Sequence, residues 1–168
     1  MIFSSGQSPA PSHNKNSSAE SLGNTSAKLE GKNEGGLKRF GLSKKERIKS
    51  KKEFDLIYTA GENLISPSQK LKALYIIDRN SDNAGIKTAY VVSRKAGNAV
   101  WRNRVKRLLR ESFRLNKELI VDECNKRKIK LLVAFASYSI NQRNNKKIYL
   151  NDVQQDVVDL MNRIKAKL

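Results

Sequence analysis

Apolar residues recur along the chain in runs of two different periods. In Ser50-Lys51-Lys52-Glu53 a hydroxyl and a carboxylate stand at the spacing of a capping box, and Phe54, Ile57 and Tyr58 follow at helical spacing. Gly61 then offers a left-handed stop, so the pattern predicts a helix over about 51–60. Ser43-Lys44-Lys45-Glu46 repeats the box, with too few apolar residues behind it for a long helix. Leu71 to Asp78 and Ile86 to Ser93 are short, apolar and β-branched, which predicts two strands. The polar loop between them contains Gly85, as in an antiparallel hairpin with a longer connection. A third strand is predicted over Ile129 to Ala136, after the polar stretch Asp122 to Lys128. Val153, Val157, Leu160, Met161 and Ile164 mark a closing amphipathic helix that Asn151 or Asp152 could cap.

Between the second and third strands lies the most distinctive helix of the chain. At 100° per residue, Trp101, Val105, Leu108, Leu109, Ser112 and Leu115 share one arc, with Phe113 at its edge. Asn103, Lys106, Arg107, Arg110 and Arg114 share the opposite face, and Arg102 and Arg104 flank the boundaries. Upstream, Ser93-Arg94-Lys95-Ala96-Gly97-Asn98 forms a turn in which Gly97 is open to positive φ and Asn98 is suited to the cap. The order α-β-β-α-β-α implies an α+β fold, a two-layer sandwich in which helices cover a small mixed sheet.

Charge turns this helix into a candidate interface. Lys87, Arg94, Lys95, Arg102, Arg104, Lys106, Arg107, Arg110, Arg114 and Lys117 face a single acidic neighbour in sequence, Glu111. A disordered basic tail would not need the apolar stripe, whereas a helix with one face in a core and one on phosphates would. The whole chain of 168 residues carries a net charge of +18, a field that concentrates nucleic acid or anionic lipid. Lipid is the weaker candidate, because no window reaches the roughly 18 uninterrupted apolar residues of a spanning helix. The first residues also lack the basic-then-apolar order of a secretory signal, and a soluble cytoplasmic protein is expected. Residues 1–40 are rich in Ser, Asn, Gly and Lys and are read as a disordered extension. Acidic residues in it argue against an organelle transit peptide. The extension nets only +2, so the charge belongs to the single domain expected over 41–168, a size that supports one core.

Protein-side catalysis has few residues to work with. Cys124 is the only cysteine and is expected to be a buried, idle thiol. His13, the only histidine, lies in the polar extension, which leaves nucleophilic triads and zinc clusters without a base or ligand set. One glycine in the turn before the basic helix does not make a phosphate loop. Asp152, Asp156 and Asp159 are the one carboxylate cluster that metal-dependent hydrolysis could use, and helical spacing reads them instead as a solvated face. Catalytic and metal residues are therefore expected to be absent. Composition alone would favour a ribosomal or other general RNA-binding protein.

The run Ser93-Arg94-Lys95-Ala96-Gly97-Asn98-Ala99-Val100-Trp101-Arg102-Asn103-Arg104-Val105-Lys106-Arg107-Leu108-Leu109-Arg110-Glu111-Ser112-Phe113-Arg114 resembles the signature of the bacterial ribonuclease P protein subunit. The likeness extends to Arg47-Ile48-Lys49-Ser50-Lys51-Lys52-Glu53-Phe54, Ile57-Tyr58 and Gly61, and covers about Leu42 to the carboxyl end. It implies a protein partner of a catalytic RNA in an endoribonuclease that removes the 5′ leader of precursor tRNA. Catalysis would come from the RNA and its Mg2+, with no cofactor, membrane or protein partner implied for this chain. By the resemblance, Arg94, Lys95, Asn98, Arg102, Asn103, Arg104, Lys106, Arg107, Arg110 and Arg114 lie against the RNA subunit. Phe54, Tyr58 and Tyr75 fall in a leader-binding cleft between the first helix and the sheet, with core packing the alternative role for Phe54 and Tyr58. The family's strand-helix-strand crossover is left-handed, against the general rule. Ala89-Tyr90, Ile65-Ser66-Pro67-Ser68-Gln69 and Ala134-Phe135-Ala136 depart from the family's usual residues on the sheet.

Overall fold

The computed structural model describes residues 41–80 and 83–168, so the reading of residues 1–40 as disordered lies outside the described residues. Its elements are α1 (Lys51–Ala60), β1 (Glu62–Ile65), β2 (Leu71–Asp78), β3 (Gly85–Val91), α2 (Ala99–Asn116), α3 (Glu118–Lys126), β4 (Lys130–Ser137) and α4 (Asn151–Lys165), with a 3-10 turn at Arg94–Ala96. The strands form one mixed sheet in the order β1-β2-β4-β3. β4 runs antiparallel to β2 and parallel to β3.

The expected hairpin between the first two predicted strands is therefore not made, because β4 stands between them. Leu131 to Ala136 are all buried, and a strand that is apolar on both faces belongs in the middle of a covered sheet. β3, with Lys87 and Thr88, takes the edge. The segment before α1 seals that edge: Ile48 donates its amide to the Thr88 carbonyl at 3.0 Å, and Thr88 donates to the Glu46 carbonyl at 2.8 Å. Lys117 holds the same segment, pairing with Glu46 at 2.8 Å and donating to the Gly41 carbonyl at 2.5 Å.

Alternation along the strands sorts the side chains onto two faces. Leu71, Ala73, Tyr75, Ile86, Leu131, Val133 and Phe135 join the main core with Trp101, Val105, Leu109 and Phe113 of α2, Ile120 and Cys124 of α3, and the apolar stripe of α4. On the other face Leu74, Leu132 and Ala134 pack against Ile57, the only buried residue of α1.

Two elements escaped the sequence reading. β1 is four residues long, too short for alternation to register, and is held by pairing with β2 from Glu62↔Tyr75 to Ile65↔Lys72. α3 follows α2 almost without interruption and buries Ile120 and Cys124 one turn apart. Lys128, at φ 54°, then turns the chain into β4.

The local signals at α1 work differently from the expectation. Ser50 makes no side-chain cap, and Glu53 instead pairs with Lys87 of β3 at 2.5 Å. The reciprocal box forms at the earlier repeat: the Ser43 amide donates to Glu46 Oε2 at 2.5 Å and the Glu46 amide to Ser43 Oγ at 3.3 Å. Gly61 is extended (φ −77°, ψ 142°), not left-handed. It is glycine because a Cβ there would lie 2.2 Å from the Ile57 carbonyl oxygen.

Candidate nucleic-acid interface

α2 is positioned by its own first turn and by a loop that packs onto it. Asn98 caps the helix as expected, its Oδ1 accepting the Trp101 amide at 2.8 Å. Gly97 has φ 162°, an extended conformation open to any residue. Crowding explains it instead, since a Cβ would come within 2.8 Å of Gln142 Cβ. Gln142, in the loop joining β4 to α4, donates its amide to the Ala96 carbonyl at 2.7 Å and accepts the Asn98 amide at 2.9 Å. Trp101 is buried, and its indole donates to the Asn145 carbonyl of the same loop at 2.8 Å.

The buried arc of α2 holds Trp101, Val105, Leu109, Ser112 and Phe113. It is rotated from the expected one: Phe113 is fully enclosed, whereas Leu115 is exposed. Opposite this arc lie the cations. Asn103 and Arg107 are exposed and Arg102, Lys106 and Arg110 are half-buried, and among the described residues none of these cations pairs with a carboxylate.

Two arginines are steadied without being neutralised. Arg104 donates Nε–H to the Ile148 carbonyl at 2.8 Å, and its guanidinium carbon stands 5.9 Å from the Tyr149 ring centre. The guanidinium carbon of Arg110 stands 5.7 Å from the ring centre of Tyr90. Burial pushes the Tyr90 phenol up to about 12, so this plate stays uncharged beneath the cation. Long stems lying on aromatic and apolar surface fix charged heads at lower entropic cost than free side chains would.

Arg114 is different from its neighbours. It forms an ion pair with Glu111, with Nε donating to Oε2 at 2.9 Å, and the hydrogen bond holds the Glu111 carboxyl below its ordinary range. Both partners are substantially exposed, so such a pair holds weakly and can be exchanged for a phosphate. Arg94 and Lys95 are exposed on the turn before the helix.

A second surface lies beside α1. That helix crosses the strands, from the Glu53–Lys87 pair at β3 to Gly61, which abuts the Tyr75 carbonyl on β2. By helical spacing Phe54 and Tyr58 project from the flank opposite Glu53, toward the Val91 end of β3. Their ring centres are 4.9 Å apart; Phe54 is half-buried and Tyr58 is 45% exposed. Beside them the α1 face of the sheet carries the half-buried Ala89 and the buried Ala134 and Ala136, with Lys72 on β2 opposite Ala136. Tyr138 was missed by the sequence reading. Its amide donates to the Lys70 carbonyl at 2.9 Å, which continues the alternation from Ala136, and its ring is 52% exposed.

Tyr75 is not part of that surface, which corrects the expectation for this residue. It follows Leu71 and Ala73 onto the α4 face and is 1% exposed. Its hydroxyl donates to Glu62 Oε2 at 2.5 Å, and Lys167 approaches the same carboxylate at 2.8 Å. Period-two counting from Leu74, which faces α1, already separates Tyr75 from Phe54 and Tyr58.

The carboxylates of α4 are engaged elsewhere. Asp156 is buried and accepts the Ser68 hydroxyl at 2.7 Å, which corrects the solvated-face reading at this residue, whereas Asp152 is exposed and Asp159 half-buried. Asp152 accepts the Tyr149 amide at 2.7 Å, and Asp159 accepts from Gln155 at 3.1 Å. Among the described residues no three His, Cys, Asp or Glu side chains converge. Cys124 is buried, and desolvation, together with Glu123, pushes its thiol up to about 11, far from a reactive thiolate. No described helix is long and apolar enough to cross a membrane.

Comparison with known proteins bears on the same elements. The profile of the Ribonuclease P family matches residues 42–165. The chain is 37% identical over 122 residues to the ribonuclease P protein component of Clostridium botulinum, covering 71% of this chain and 95% of that one. With the corresponding component of Maridesulfovibrio salexigens it is 39% identical over 83 residues. That alignment takes in 49% of this chain and 64% of the relative's length. In fold it is similar to the RNase P protein from Thermotoga maritima, with a TM-score of 0.56 at 24% identity over 70% of this chain and 96% of that one.

Proposed function

This chain belongs to the ribonuclease P protein family, and from that premise we propose that it is the protein subunit of a ribonucleoprotein that removes the 5′ leader of precursor tRNA. The observation that carries this reading is the cationic face of α2. Arg102, Lys106, Arg107 and Arg110 are held on a packed helix with no carboxylate partner among the described residues. A solvated charged face of ordinary kind interleaves Glu and Asp throughout, whereas this one holds the single Glu111, paired with Arg114.

In this reading Arg94, Lys95, Asn98, Arg102, Asn103, Arg104, Lys106, Arg107 and Arg110 lie on the RNA subunit, and Arg114 joins them by exchanging Glu111 for phosphate. The protein offsets repulsion between phosphates of the RNA subunit and those of the substrate. The shelf beside α1 takes the single-stranded leader: Phe54, Tyr58 and Tyr138 offer ring faces and Lys72 offers charge. Stacking contributes roughly 1 to 3 kcal/mol per base and every base has a π face, which suits a substrate class with many different leaders.

Cleavage chemistry in this reading resides in the RNA and its magnesium. The donor set of the described residues does not fit a magnesium centre, with Asp156 already engaged by Ser68, and no step is assigned to a protein-held ion. Reconstitution tests the proposal. Added to ribonuclease P RNA and precursor tRNA at low magnesium, the purified chain should raise leader removal by at least an order of magnitude, and raised salt should abolish the effect steeply. Cleavage unchanged by the protein under those conditions overturns the reading.

A further inference from the structure

The loop between β4 and α4 is long, basic and built into the fold. Ile140 and Ile148 anchor its two ends in the core. Inside it the Asn141 side chain accepts the Asn144 amide at 3.0 Å and the Asn145 amide reaches the Asn141 carbonyl at 2.9 Å. Four contacts then fasten the loop to α2 and its preceding turn, from Gln142 to Ala96 and Asn98, Asn145 to Trp101 and Ile148 to Arg104. Gly97 is part of the joint, since any side chain there would strike Gln142.

This docking creates a pocket lined by Lys95, Gly97, Asn141, Gln142, Arg143 and Lys146, with no acidic residue in its lining. Arg143 and Lys146 are exposed and carry no ion pair among the described residues. The Gln142 side-chain oxygen accepts the Asn98 amide, and among the described residues its NH2 group has no hydrogen-bond partner. Arg143, Lys146 and the Gln142 amide from the loop, with Lys95 from the turn before α2 and no carboxylate among them, form an anion site, and the absence of any aromatic side chain in the lining leaves it nothing to stack a base.

We propose that this loop is a further RNA-binding element, in which Arg143, Lys146 and Lys95 clasp backbone phosphates of the same RNA that lies on α2. The inference rests on the function proposed above and extends its surface by sharing Lys95 with the turn before the helix. It concerns phosphate positioning only and assigns no base preference to the loop.

Binding of a ribonuclease P RNA transcript to the full chain, followed across a potassium chloride series at constant magnesium, tests it. The doublet Arg143→Gln with Lys146→Gln should weaken binding by roughly five- to tenfold and lower the salt slope by about 1.5, as two lost phosphate contacts require. A doublet of equal charge change far from the pocket, Lys126→Gln with Lys165→Gln, should leave the slope within about 0.3 of the parent. Both doublets should melt at the parent temperature, because the four joints to α2 use none of the substituted side chains. If the two doublets weaken binding equally, the effect is one of bulk charge and the loop inference is overturned while the family reading stands. If the parent chain itself fails to prefer this transcript over an unrelated RNA of equal length, the function proposed above falls and this inference falls with it.

Discussion

The exposed face of α2 and the shelf beside α1 are built in opposite ways. On α2 the surface is charge, backed by five buried side chains, and its heads are steadied by Tyr90 and Tyr149. On the shelf the surface is aromatic rings, and its helix buries Ile57 alone and is otherwise tied to the sheet by the Glu53–Lys87 pair. A rigid cationic face suits a partner of fixed shape. A lightly anchored aromatic wall suits a strand whose sequence changes from one substrate to the next. The two surfaces are separated by the sheet itself, so substitutions in one should leave the other working.

The largest expected effect is on α2. Arg107→Ala combined with Arg110→Ala should reduce affinity for the RNA subunit by roughly a hundredfold at moderate salt and lower the salt slope by about 1.5, measured by filter binding. An unchanged slope would mean that these side chains do not meet phosphate. Next comes Tyr58→Ala. It should weaken precursor tRNA binding to the holoenzyme by about tenfold, leave mature tRNA binding alone, and leave affinity for the RNA subunit within twofold. Equal losses for precursor and mature tRNA would remove the shelf from leader binding.

Tyr75→Phe sharpens the contrast from the opposite side of the sheet. Loss of its hydrogen bond to Glu62 should cost about 1 kcal/mol of stability in denaturant titration without altering the preference for precursor. A loss of preference as large as that for Tyr58→Ala would break the two-face assignment. The smallest effect concerns Glu46. Burial acts to raise its pKa, but hydrogen bonds from Lys117 and Ser43 outweigh burial and hold the carboxyl below its ordinary value near 4.5. A lowered folded pKa stabilises the fold fully above that ordinary value, and the contribution is lost as pH falls through the folded one. Glu46→Gln should therefore cost about 0.5 kcal/mol at pH 7, with the difference from the parent narrowing as pH falls below the ordinary value near 4.5.

Local chemistry made α1 and the cap of α2 legible. Phe54, Ile57 and Tyr58 define the helix whether or not Ser50 closes a box, and Asn98 needs nothing beyond the next turn. The cation face was legible for the same reason, because a helix wheel requires only spacing. What depends on partners distant in sequence was not. β1 exists because β2 receives it, and α3 shows only if Cys124 is counted as apolar and placed one turn after Ile120. β3 and β2 looked like neighbours until the doubly buried run of β4 was seen to claim the middle position. Tyr75 was assigned to the shelf by position along the strand, although counting alternate residues from Leu74 turns it away. The loop from Ile140 to Ile148 reads as polar filler, and only its joints to Ala96, Asn98, Trp101 and Arg104 disclose a built surface.

The seal along β3 has a consequence for how many copies of this chain can crowd one nucleic acid. An unpaired strand edge is a template for a neighbour, and a polyanion gathers cationic proteins to high local concentration. Residues 46–48 occupy one margin of the sheet, and the other margin, β1, offers only four residues. Molecules brought side by side in this way find little backbone to zip together, so gathering on a shared polymer need not lead to fibres.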